Sequence, residues 1–229
     1  MRFGIVTIFP ELFDAFFRVG LLGKAISRGV IHEQRVNPRT FAKDKHRSVD
    51  DEPYGGGGGM VMCPGPLMEA VESLESIHGA SYRILLSPQG KRFDQADAQR
   101  LSEQSFISLV CGRYEGVDER VGQYMTEEFS IGDFVLMGGE VAAMVLMESI
   151  ARLLPDVLGN PQSAVHESFS QPLLEHPHYT RPETFRGSQV PAVLLSGDHQ
   201  KVEAWRHQQA LARTAARRAD LINVRKPKP

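Results

Sequence analysis

Apolar residues along this chain alternate between short β-branched or aromatic runs and longer stretches spaced like one face of a helix. Residues 3–9 form the first such run, closed by Pro10, and predict a buried strand. Residues 11–28 follow with Leu12, Phe13, Phe16, Phe17, Val19 and Leu22 at roughly helical spacing, ending near Gly29, and predict a helix. The plan then recurs three times. A strand over residues 82–86 stops at Ser87-Pro88-Gln89-Gly90, after which Asp94 is placed to cap a helix reaching Gln104. Residues 106–111 make a strand ending in a loop from Gly112 to Gly116, followed by a helical stretch over 118–124. A third short strand runs into residues 130–140, whose Gly138 and Gly139 turn the chain into an amphipathic run over 140–153. Strands alternating with helices predict an α/β fold with a mainly parallel sheet, and in such sheets ligands gather beyond the carboxyl ends of the strands. The three loops are expected to converge there.

The stretch between the first strand and these copies is of another kind. Residues 43–54 are charged and polar, with His46, Arg47, Asp50, Asp51 and Tyr54 among them, and five consecutive glycines follow at 55–59. A flexible linker is one reading. The other is a mobile loop that carries polar and stacking groups over a site.

Composition narrows the class. A chain of 229 residues that is 41% hydrophobic can bury a substantial core. Its apolar start is interrupted by Glu11 and Asp14, and no later stretch stays uncharged for the length of a bilayer, so a cytoplasmic protein is expected. Cys63 and Cys111 stand at no metal-ligand spacing. The net charge of −2 does not announce nucleic acid, but residues 201–229 hold eight Lys or Arg against Glu203 and Asp220. On a helix over 201–218, Arg206, Arg213 and Arg217 would fall within about 40° of one another, opposite an arc of Ala204, Trp205, Leu211, Ala212 and Ala215. Such a stripe is either a solvated face or a grip for an RNA backbone. His176 and His178 flank Pro177 with no evident third ligand, which disfavours a metal pair.

No G-x-G-x-x-G follows the first strand and no G-x-x-x-x-G-K-[ST] occurs, which excludes the usual dinucleotide and phosphate-loop fingerprints. The segments 50–57, 86–90, 110–120, 130–140, 177–183 and 191–197, taken together and in order, resemble the bacterial tRNA (guanine-N1-)-methyltransferases, the TrmD family of the SPOUT superfamily. The resemblance covers nearly the whole chain. It implies a deep trefoil knot in the sheet, S-adenosylmethionine as cofactor, tRNA as substrate, a homodimer with active sites at the subunit interface, and an assisting magnesium ion whose ligands the sequence does not locate.

On the matching positions, the resemblance puts the cofactor against Leu86, Ser87 and Pro88, against Gly112 and Glu115, and against Ile131, Gly132, Asp133, Phe134, Val135, Leu136, Gly138 and Gly139. It puts the catalytic base at Glu167 and a cation for guanine O6 at Arg152. RNA contacts are expected from His46, Arg47, Asp50, Tyr54, Arg206, Arg213 and Arg217. Two departures stand out. Glu167 occupies the place of the family's Asp, which keeps the carboxylate and adds a methylene, and Gly58 stands where relatives often carry another residue. The expected organisation is a catalytic domain over 1–160, a linker over 161–173 and a small helical tRNA-binding domain over 174–229. The reaction implied is methyl transfer to N1 of the guanosine 3′ of the anticodon. A knotted methyltransferase acting on another RNA, and a non-catalytic RNA-binding relative, are the other readings left open.

Overall fold

A computed structural model of the chain describes residues 1–160 and 167–223. These fall into two compact units, Met1–Gly159 and Asn160–Pro229. The expectations placed on residues 161–166, His166 among them, and on the final Lys226 to Pro229 lie outside the described residues.

The first unit is built on a five-stranded parallel sheet. Its strands are β1 (Arg2–Val6), β2 (His32–Val36), β5 (Tyr82–Arg92), β6 (Phe106–Cys111) and β7 (Glu127–Ser130), in the order β2-β1-β6-β5-β7. Two-residue strands β3 (Asp50–Asp51) and β4 (Val61–Met62) pair separately and antiparallel. Side chains alternate across the main sheet with the period of two that pleating imposes, so each strand feeds two cores. On one face Phe3, Ile5, Ile84, Leu86, Ile107, Leu109 and Phe129 pack with α1 (Gly20–Ser27), α3 (Gln95–Ser102) and α4 (Glu140–Ala151). On the other, Val6, Leu85, Phe106 and Val110 pack against Leu67, Ala70, Val71 and Leu74 of α2 (Pro64–His78). Covering both faces with helices is what an all-parallel sheet requires.

Several expectations change here. The single helix over 11–28 is instead a 3-10 turn, Pro10–Phe13, then irregular turns, then α1. Phe13 and Phe17 stack with ring centroids 5.7 Å apart in the core, and Val19 takes an extended conformation (φ −108°, ψ 160°) that ends any continuous helix before Gly20. The strand expected to stop at Leu86 continues to Arg92, because Leu86 and Lys91 both pair with Phe129 and the four residues between them loop out. Gly90 passes so close to β7 that a Cβ there would sit 2.5 Å from the Glu128 carbonyl carbon, which admits only glycine. Asp94 does cap α3, in a capping box with Asp97, and Asp118 caps the 3-10 turn Glu119–Tyr124. Helix α2 and strand β2 were not read from the sequence.

The second unit contains a hairpin of β8 (Thr184–Phe185) and β9 (Ser188–Gln189), then α5 (Ala192–Leu195), α6 (His199–Arg217) and α7 (Ala219–Asn223). Asp198 caps α6 by accepting from the Lys201 N–H at 3.1 Å. The buried Thr214 hydroxyl donates to the Ala210 carbonyl at 2.7 Å and accepts from the Leu174 N–H at 2.8 Å. The packed face of α6 therefore runs through Val202, Trp205, Ala210, Arg213 and Thr214, whereas Leu211, Ala212 and Ala215 of the expected apolar arc are exposed.

Candidate cofactor cavity and RNA-facing loops

The parallel register brings the carboxyl ends of β5, β6 and β7 side by side, with Leu86 opposite both Cys111 and Phe129. The three loops that leave these ends enclose one cavity of about 250 Å3. Its walls include Leu86, Ser87 and Pro88 from the first loop, Gly112 and Glu115 from the second, and Ile131, Gly132, Phe134, Val135, Leu136, Gly138 and Gly139 from the third. Among the cofactor candidates only Asp133 is not in the lining; it is exposed.

Gly138 and Gly139 of the third loop owe their place to close approach rather than to an unusual backbone angle. Gly139 is right-handed (φ −78°, ψ −8°), yet a Cβ there would lie 2.8 Å from Cys111 Cα and 3.2 Å from Leu86 Cβ. At Gly138 a Cβ would run into the Arg113 side chain, 2.1 Å from its Nε. The Gly139 N–H donates to the Gly112 carbonyl at 2.9 Å, joining the second and third loops directly.

Beneath that junction lies a charged network that sequence reading missed. Glu140, the first residue of α4, is 1% exposed. Its carboxylate accepts from Thr7 Oγ1 at 2.7 Å and from Arg113 Nε at 2.9 Å. The Arg113 guanidinium sits over the Phe9 ring, 4.6 Å from its centroid, and reaches the Met137 carbonyl at 3.4 Å. A buried carboxylate is tolerable only when paired and hydrogen-bonded in this way. Nearby, burial pushes the Cys111 thiol well above its ordinary range and the Glu140 charge adds to the effect, so the cysteine is a packing group and not a nucleophile.

The polar and glycine-rich segment is tied to the second loop. β4 leads into it: the Met62 N–H donates to the Gly116 carbonyl at 2.9 Å, and the Asp118 N–H donates to the Met62 carbonyl at 3.0 Å. The Glu115 N–H donates to the Met60 carbonyl at 2.9 Å, and Gly59 lies against the Glu115 side chain. Tyr114, at φ +60°, lines the cavity, and its phenol is held above its ordinary range by burial and by neighbouring Asp50. His46, Arg47 and Tyr54 are exposed, and Asp50 pairs with Met62 across the β3–β4 ladder.

Arg152 forms the C-cap of α4, its N–H directed to the Glu148 and Ile150 carbonyls. Glu167 belongs to the other unit, where its carbonyl accepts from the Ser170 hydroxyl at 2.7 Å. Of the arginine stripe on α6, Arg206 and Arg217 are exposed, while Arg213 is half-buried and reaches the Glu175 carbonyl at 3.5 Å. The rings of His176 and His178 lie 4.7 Å apart, and His178 Nε2 is 2.9 Å from Glu175. Burial, with His178 second, lowers the His176 pKa. Among the described residues no three His, Cys, Asp or Glu side chains cluster as a metal site.

Comparison with known proteins gives one consistent answer. The family model described as tRNA (Guanine-1)-methyltransferase TrmD matches residues 1–224. A tRNA (guanine-N(1)-)-methyltransferase of a Synechococcus species is 52% identical over 226 residues, covering 98% of this chain and 90% of that protein. Proteins with the same description from Shouchella clausii and Pseudoalteromonas atlantica are each 50% identical, covering 99% and 96% of this chain and 93% and 84% of their own lengths.

Proposed function

The chain belongs to the tRNA (guanine-1)-methyltransferase family, and from that premise we propose that it moves the methyl group of S-adenosylmethionine to N1 of the guanosine immediately 3′ of the anticodon, position 37 of tRNA. The observation that carries this reading is the convergence of three strand-end loops on one cavity. The lining fits the cofactor. Pro88, Ile131, Phe134 and Leu136 offer apolar walls for a flat base, and the glycine-containing loops bring backbone polar groups close without side chains in the way. When bound, the cofactor supplies an electrophilic methyl group.

The protein must then make guanine N1 a nucleophile. N1 bears a proton at neutral pH, so the Glu167 carboxylate accepts that proton, and the Arg152 guanidinium meets the negative charge that moves to O6. The extra methylene of Glu167 relative to the family's Asp changes reach and rotamer freedom; the ordinary pKa values, about 3.9 for Asp and 4.3 for Glu, leave basicity nearly the same. From the family resemblance we infer a homodimer with active sites at the subunit interface. The exposed Val135 and Met137 of the third loop and Val141 and Val145 of α4 support such an interface, since an apolar surface of this kind favours cover by a partner.

A deep trefoil knot in the sheet, a topology otherwise very rare, is proposed from the family resemblance. The exposed His46, Arg47, Tyr54, Arg206 and Arg217, together with Asp50, are the groups proposed to meet tRNA. The half-buried Arg213 is proposed to support that face. Magnesium is proposed from the resemblance alone. Such an ion takes one or two carboxylates with water and substrate, and the roles of Glu167 and Arg152 are independent of it. No helix among the described residues is long and apolar enough to cross a membrane, and we place the protein with its tRNA substrate in the cytoplasm.

The test is Glu167→Gln. Size is kept and proton affinity lost, so single-turnover methylation should fall by on the order of a hundredfold or more while both ligands still bind. Raising the pH should help the variant more than the parent, because N1 then ionises unaided. Undiminished methylation by the variant at neutral pH would remove Glu167 as the base.

A further inference from the structure

Arg39 lies in neither the cavity lining nor the set of groups proposed to meet RNA, yet it links the two. It is the second residue of a 3-10 turn, Pro38–Phe41, whose N-cap Asn37 accepts from the Arg39 N–H at 3.0 Å, so its backbone is fixed on the packed body of the first unit. Its guanidinium is divided between two acceptors. Nη2 donates to the Tyr114 phenol oxygen at 3.3 Å and Nη1 donates to the Arg47 carbonyl at 3.1 Å. Tyr114 is on the cavity wall; Arg47 is at the turn of the polar loop, at φ +54°, a conformation that needs outside support in a non-glycine residue.

The loop has its own internal brace. The Asp44 carboxylate accepts from the His46 N–H at 2.9 Å, the Ser48 N–H at 2.8 Å and the Ser48 hydroxyl at 3.0 Å. That brace closes residues 44–48 on themselves but does not fix where the turn points. Among the described contacts, the Arg39 guanidinium is the one that anchors the Arg47 carbonyl to the body of the unit. We propose that Arg39 is a positioning residue for tRNA binding, holding the turn that carries His46 and Arg47 at a fixed place beside the cavity through the Tyr114 hydroxyl and the Arg47 carbonyl. The proposal rests on the reading that this loop faces RNA.

A planar fork suits the task, since one guanidinium can donate to two acceptors in fixed directions and an ammonium cannot reproduce that geometry. Arg39→Met keeps the length and apolar stem and removes both donors. The test measures tRNA affinity, with KM for S-adenosylmethionine measured alongside, in the parent, Arg39→Met, Arg39→Lys, Tyr114→Phe and the double variant Arg39→Met with Tyr114→Phe. The expected result is tRNA binding weakened on the order of tenfold in Arg39→Met and partly restored in Arg39→Lys, with KM for the cofactor unchanged in both. Tyr114→Phe should weaken tRNA binding as well, and the double variant should be no weaker than Arg39→Met alone, since both changes break one link. Parent-like tRNA affinity in Arg39→Met, parent-like affinity in Tyr114→Phe, or additive effects in the double variant would each overturn the proposal. A parent that binds S-adenosylmethionine but no tRNA would overturn it together with the RNA-facing reading of the loop.

Discussion

Glu75 shows how much one ion pair contributes when its geometry is good. Its carboxylate accepts from Arg83 Nε at 2.9 Å and Nη2 at 2.5 Å, and from the Ser81 hydroxyl at 2.7 Å. The Arg83 bond, with Ser81 assisting against the cost of burial, lowers its pKa from 4.5 to about 2. A carboxylate depressed in the folded state adds stability that is complete above the unfolded value and disappears as pH falls from 4.5 towards about 2. Glu75→Gln should therefore cost on the order of 2 kcal/mol at pH 7. The gap in Tm between parent and variant should narrow steadily through that acid window; a constant gap would mean the carboxylate charge is not what stabilises. Gly139 supports a second prediction at this scale. Gly139→Ala would place a methyl group 2.8 Å from Cys111 Cα, so the second and third loops must part. Cofactor affinity should drop on the order of tenfold, with a lower Tm, by calorimetry and thermal melts. Unchanged affinity would show that the loops do not need this contact.

Elements were legible where their signals are local. Residues 82–86, 106–111 and the Asp94 cap carry their own period and turn chemistry. Other features depend on partners far along the chain. The looping-out of residues 87–90 follows from how β7 pairs with β5, and the Thr7–Glu140 bond joins residues 133 positions apart; neither leaves a pattern in its own neighbourhood. Helix α6 shows both sides of this. Its existence was read from spacing, but its Asp198 cap was not, and Thr214, polar and β-branched, sits on the buried face because Leu174 supplies a donor, while Leu211, Ala212 and Ala215 of the expected apolar arc are left outside. The exposed Arg206 and Arg217 support a prediction for the element. Changing both to Gln should weaken tRNA binding across sequences and reduce the magnitude of the salt slope by about 1.5, leaving cofactor affinity alone. Loss of affinity at an unchanged slope would indicate that these arginines shape the helix rather than neutralise phosphates.

At the scale of the molecule, the cavity is a consequence of topology. Parallel strands deliver their carboxyl ends to one edge, and three consecutive strand-loop units are enough to surround a ligand there. The recurrence of that unit was readable from the sequence, as was the family; the order β2-β1-β6-β5-β7 was not, because register between distant strands is set by packing on both faces. All of these features converge on one activity. The most direct measurement presents two unmodified tRNA transcripts, differing only in guanosine or adenosine at position 37, to the protein with S-adenosylmethionine, and locates the methyl group by mass mapping. Methylation of N1 in the guanosine transcript and none in the other is the expected result. Methyl transfer to both transcripts, or to a different nucleotide, would contradict the assignment, and binding of both ligands with no transfer at all would contradict catalysis itself.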